Sequence, residues 1–114
     1  MEQRRNRRFP MELPLAITRA GAKHVTLPGF TKNISSTGVL FTTGVQPDLG
    51  GPIEYVITLS LDGPRPVNLR CMGKVLRYED LHVTDEARSF AVAATLERYE
   101  FVRDAEGRPS ALRA

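Results

Sequence analysis

A single cysteine, Cys71, leaves the chain without the means to close an internal disulfide, so its stability must come from an apolar core. Cys71 shares alternate-position parity with Leu69, Gly73 and Val75, which predicts a small buried core residue and not a nucleophile. The only two histidines, His24 and His82, lie far apart with no Cys-x-x-Cys or His-x-x-x-His spacing around them; surface positions are expected and no metal site. Tryptophan is absent, and five phenylalanines with three tyrosines make a small aromatic supply. No apolar run approaches the roughly 20 residues of a membrane-spanning helix. The basic amino terminus leads into alternating apolar and polar residues, unlike a secretory signal, so a cytoplasmic protein is expected. Catalytic signatures are missing too. There is no Gly-x-Ser-x-Gly, no Walker-type phosphate loop and no Ser/His/Asp set, so neither an enzyme nor a cofactor is expected.

What is present is an ordinary globular composition, 41% hydrophobic and 25% charged over 114 residues, which suits one domain. The charge is unevenly spread. Residues 1–32 hold seven basic and two acidic side chains, net +5, while the remainder holds nine and eleven, net −2. Arg4, Arg5, Arg7 and Arg8 supply most of that excess, and guanidinium groups pair bidentately with phosphate and stack on bases. From charge alone, a solvated basic tail explains the cluster better than an anionic partner does. Further along, Asn33-Ile34-Ser35-Ser36-Thr37-Gly38 offers an amide that donates and accepts, a hydroxyl able to reach a phosphate oxygen or base edge, and a glycine that permits close backbone approach. The same pattern also describes a strand-to-strand turn whose side chains bond their own backbone.

Periodicity predicts six strands, over residues 13–19, 23–32, 39–43, 53–61, 67–78 and 88–96, separated by Gly and Pro punctuation. Leu27-Pro28-Gly29 interrupts the second and implies a bulge or an edge. Ile53, Tyr55, Ile57, Leu59 and Leu61 share one face of the fourth. Phe41, Tyr55 and Phe90 read as core. With antiparallel neighbours and short connections, closure into a small Greek-key barrel removes exposed edges. The expected fold is therefore all-β. A flexible basic arm over residues 1–10 precedes the six-stranded barrel over 11–96, and 97–106 departs from strict alternation and is expected to form a short helix before a tail at 107–114.

In order and separation, Arg4-Arg5-Asn6-Arg7-Arg8 and Asn33-Ile34-Ser35-Ser36-Thr37-Gly38 resemble the paired signature of PilZ domains, bacterial receptors for cyclic di-GMP. Residues 8–14 look like the approach to the first PilZ strand, and Gly73-Lys74-Val75-Leu76-Arg77 resembles the family's later G-x-V-x-R strand. Asn33 stands where Asp is the other accepted residue. The resemblance implies a six-stranded barrel and a cyclic di-GMP receptor or adaptor, with Arg4, Arg8, Asn33, Ser35 and Gly38 as ligand contacts and Arg5 and Arg7 as secondary ones. It also implies an arm that folds over the nucleotide and a changed surface that meets a downstream effector protein. Two other readings stay open: a basic barrel that binds single-stranded nucleic acid, against which the scarcity of aromatics argues, and a PilZ-like scaffold without ligand.

Overall fold

Alternation of apolar side chains decides the architecture, because it gives each extended segment one face to bury. The computed structural model describes residues 9–60, 66–82 and 88–103. Their strands are β1 (Phe9–Pro10), β2 (Pro14–Ala20), β3 (Lys23–Ile34), β4 (Gly38–Thr43), β5 (Pro52–Ser60), β6 (Val67–Asp80), β7 (Phe90–Thr95) and β8 (Arg98–Arg103). No helix long and apolar enough to cross a membrane occurs among these residues.

All pairings are antiparallel, and β2 to β7 run in the order β3-β2-β5-β6-β7-β4, with β4 returning to β3 to close a six-stranded barrel. The four strands β5-β2-β3-β4 form the expected Greek key, the fourth strand in sequence lying beside the first. Gly21, at φ +65°, supplies the left-handed conformation that the two-residue turn between β2 and β3 requires. Pro28 pairs with Ala16, whereas the β4 ladder begins only at Gly29. The missing N–H of Pro28 thus falls at a local edge, as its place in the sequence implied.

Inside the barrel, Ile17, Phe41, Tyr55, Ile57, Cys71 and Val92 are fully or almost fully buried, and the Phe41 and Tyr55 rings sit 5.7 Å apart. The Tyr55 hydroxyl donates to the Thr95 carbonyl at 3.1 Å, which removes the cost of its burial. Burial pushes the Cys71 thiol from its ordinary 9.0 up to about 12 and moves the Tyr55 phenol up as well. Both protons are held more tightly folded than unfolded, so stability falls as pH climbs from the unfolded to the folded values. For Cys71 that window runs from 9.0 to about 12. At neutral pH a thiol reagent should leave Cys71 untouched in the folded protein and label it in full in denaturant; rapid labelling of the native chain would refute its burial.

The helix expected over 97–106 is not formed by Arg98–Arg103, which make strand β8; residues 104–106 lie outside the described residues. The reason is the length of β6. Its second half, Val75 to Asp80, pairs with β7, and its first half, Val67 to Met72, pairs with β8. A helix there would strand the backbone donors and acceptors of half of β6. Tyr99, Phe101 and Val102 also favour an extended chain. β7 and β8 are thus one strand interrupted at Leu96 and Glu97. At the interruption the Thr95 hydroxyl accepts from the Lys74 amide (2.8 Å) and donates to the Glu97 carboxylate (2.9 Å). Gly73 lies directly beneath, and a Cβ there would collide with the Thr95 carbonyl. The barrel's front edge also differs from expectation, since Phe9 and Pro10 are already paired in β1 and not part of a free arm.

Candidate functional site

The site forms where the chain first joins the sheet. Arg4, Arg5, Arg7 and Arg8 lie outside the described residues, but Phe9, the next residue, pairs with Ile34, and Pro10 pairs with Asn33. The attachment continues through Met11, whose amide donates to the Lys32 carbonyl at 3.2 Å. Thr31, fully buried, then ties this segment to β3. Its hydroxyl donates to the Met11 carbonyl and accepts from the Leu13 amide at 2.8 Å. The arginine motif is therefore followed immediately by backbone fixed alongside the Asn33 motif. Replacing Thr31 by the isosteric Val removes both bonds and takes a partner from the part-buried Met11 carbonyl and Leu13 amide, so Thr31→Val is expected to cost about 1–2 kcal/mol in urea unfolding. An unchanged midpoint would contradict this role.

Between β3 and β4, Ser35 closes the turn on itself. Its hydroxyl accepts from the amides of Thr37 (3.3 Å) and Gly38 (3.1 Å) and donates to the Gly38 carbonyl (3.2 Å). One donor and two acceptor positions exhaust a hydroxyl, and the residue is only 6% exposed. The side chain expected to contact ligand is thus occupied in shaping the turn. Gly38 plays a related part. It pairs with Thr95 of β7, and a Cβ there would sit 3.1 Å from the Ala94 carbonyl, so its lack of a side chain accommodates β7. The Leu96 amide donates to the Thr37 carbonyl at 2.8 Å, which joins the turn to the β7–β8 interruption.

Asn33 is half-buried at a β-bulge, where the β3–β4 register shifts between Thr31 and Asn33. With Ser35, Thr37 and Gly38 it lines one end of a hollow of about 350 Å³ on the outer barrel surface, whose far side is Leu76 and Arg77. A second bulge explains Arg77. The β6–β7 register shifts between Val75 and Arg77, so Val75 points into the core while both Leu76 and Arg77 face outward. Arg77 also lines an adjoining hollow of about 290 Å³ with Tyr78 and Glu79. In the sequence Arg77 is signalled only by its place in G-x-V-x-R, because the bulge that turns its side chain outward depends on β7. Among the described residues no carboxylate lines the first hollow, which combines the Arg77 cation and the Asn33 amide with a small-residue floor of Ala93 and Ala94. That set suits an anion bearing hydrogen-bonding edges. Among the described residues, no group of His, Cys, Asp or Glu could hold a metal ion.

A search of curated proteins finds no match. The family model of the PilZ domain matches residues 2–99, a span that takes in both motifs and all seven strands from β1 to β7. With the closed barrel, the motif turn and the arginine-bearing segment leading into β1, this shows that the chain belongs to the PilZ domain family.

Proposed function

We propose that this protein is a cyclic di-GMP receptor that binds the nucleotide between its arginine segment and the hollow beside Asn33, and passes the change to an effector protein. The carrying observation is the pairing of Phe9 and Pro10 with Ile34 and Asn33, since it ties the residue after Arg8 to the rim of the hollow. Membership of a cyclic di-GMP-binding family supports the same ligand. Arg4 and Arg8 supply phosphate and base contacts, Arg5 and Arg7 add charge, and Asn33 reads a guanine edge. Ser35 and Gly38 hold the turn in shape, and Arg77 opposes Asn33 as a further cation. Cyclic di-GMP carries two phosphodiesters and two guanines, which matches cations that both neutralise and stack. A few charge-assisted bonds of about 1.5–3 kcal/mol each, less the cost of ordering the arm, reach the roughly 8 kcal/mol of a micromolar complex. A cytoplasmic location and an adaptor role without catalysis belong to this reading.

Calorimetric titration tests it. Cyclic di-GMP should bind saturably with micromolar or tighter affinity, GTP should not compete, and Arg8→Ala should abolish the heat. Arg19→Ala, remote from the site and paired to Glu54 at 3.1 Å, should bind as wild type. Arg77→Ala is expected to weaken binding by about tenfold to a hundredfold, the value of one lost charge-assisted bond. No heat with wild type, or equal response to GTP and oligonucleotides with steep salt dependence, would reject the receptor reading in favour of a general polyanion binder.

A further inference from the structure

A second surface, on the other side of the Ser35 turn, is apolar. Tyr99 and Phe101 project from β8 with 58% and 64% of their surface exposed. Their parity is that of Cys71 and Leu69, their partners on β6. They therefore continue the barrel's inner face beyond the point where β4 ends. With Phe9, itself 51% exposed, and with Leu69 and Leu96, they line an open hollow of about 290 Å³. Among the described residues, β8 pairs only with β6, and none of them pairs with its other edge. Exposed aromatics beside an open strand edge are what a docking surface consists of.

The placement of the rings along β8 favours a second copy of this chain as the occupant. We propose that two copies join through their β8 edges, antiparallel about a two-fold axis at Glu100, so that Tyr99 of each lies opposite Phe101 of the other. Two-fold pairing requires a register that preserves the faces of the strand, which leaves centres at Tyr99, Glu100 or Phe101. A centre at Tyr99 would set Phe101 against Glu97, and one at Phe101 would set Tyr99 against Arg103. Only the centre at Glu100 matches all four rings with one another, the cross-strand pairing with the strongest aromatic contribution.

Charge permits the same register. The two Glu100 carboxylates would meet, but each is already held by Arg70 at 3.1 Å, and Arg98 of the opposite copy lies on the diagonal. A nucleic-acid strand suits the surface less well. The Tyr99 and Phe101 rings stand edge-to-face at 83° and so offer no flat platform for successive bases. The proposal is independent of nucleotide binding.

Sedimentation velocity over a concentration series should show wild type moving from one copy to two, and Phe101→Glu remaining single at every concentration. Register is read by disulfide trapping, with buried Cys71 silent. Glu100→Cys should cross-link to itself, whereas Arg98→Cys and Val102→Cys should each fail alone and cross-link when mixed, because those positions face one another in this register. A single copy throughout overturns the proposal. So does a dimer that survives Phe101→Glu, or a trapping pattern with Arg98→Cys self-linking, since the copies would then meet elsewhere or in another register. A strand of another protein, or an oligonucleotide, covering Tyr99 and Phe101 in a chain that stays single would equally overturn it.

Discussion

Gly73→Ala should destabilise the protein by about 3 kcal/mol, the upper end of the roughly 1–3 kcal/mol typical of forcing atoms into a packed site. Ordinarily, replacing glycine by alanine at a compatible extended position stabilises by about 0.4–1 kcal/mol through the unfolded chain, so the expected sign is reversed. The cause is local. The added methyl would occupy the space of the Thr95 carbonyl, and that carbonyl cannot retreat freely because it accepts from Tyr55 while the Thr95 hydroxyl bridges Lys74 and Glu97. Displacing it would strain the hydrogen bond from a buried phenol and shift the Leu96 amide that holds the Thr37 carbonyl. Urea unfolding should show a lowered midpoint with an unchanged slope. Gly44→Ala is the control, since its methyl would meet nothing closer than 3.7 Å and should change stability little. A Gly73→Ala protein as stable as wild type would mean that β7 does not cross so closely over β6.

Phe41→Ala should cost about 3–5 kcal/mol, the range for truncating a fully buried aromatic, against a typical net stability of about 5–15 kcal/mol. Phe41 has no exposed surface, packs against Tyr55, and is fixed between Thr31 on β3 and Val92 on β7. These neighbours belong to a closed barrel and cannot collapse into the space, so the cavity persists and the loss falls toward the upper end of the range. Phe41→Leu, which retains most of the volume, should lose far less. Equal effects from the two substitutions would show that the site is not tightly packed. Binding of cyclic di-GMP by Phe41→Ala, measured at low temperature where the barrel remains folded, separates stability from site geometry.

The barrel was legible because its information is local. Ile53, Tyr55 and Ile57 alternate cleanly and all point inward; Cys71 and Val75 follow the same rule on β6, and the Greek-key closure follows from strands that need both edges covered. The errors have a shared physical origin. In Arg98-Tyr99-Glu100-Phe101-Val102-Arg103 the alternation holds only as far as Phe101 and breaks at Val102, and Tyr99 and Phe101 remain exposed, so the pattern did not mark a strand; the length of β6 requires β8. Bulges are similar. The positions of Lys32 and Leu76 say nothing about register until the partner strands are known, yet those two shifts set Asn33 and Arg77 around one hollow. The family resemblance pointed to the Asn33 turn, while the use made of the Ser35 hydroxyl depends on its geometry.

That hydroxyl bears on how the motif is interpreted in any related sequence. Ser35 spends its whole hydrogen-bonding capacity on Thr37 and Gly38, and Gly38 yields its side-chain space to Ala94, so selection for a sound turn alone would preserve both. A relative that had lost its nucleotide would still need them. Retention of the serine and glycine is therefore testimony about folding, and the diagnostic weight for ligand binding shifts to side chains that the turn's own bonding does not use, such as Arg77 across the hollow.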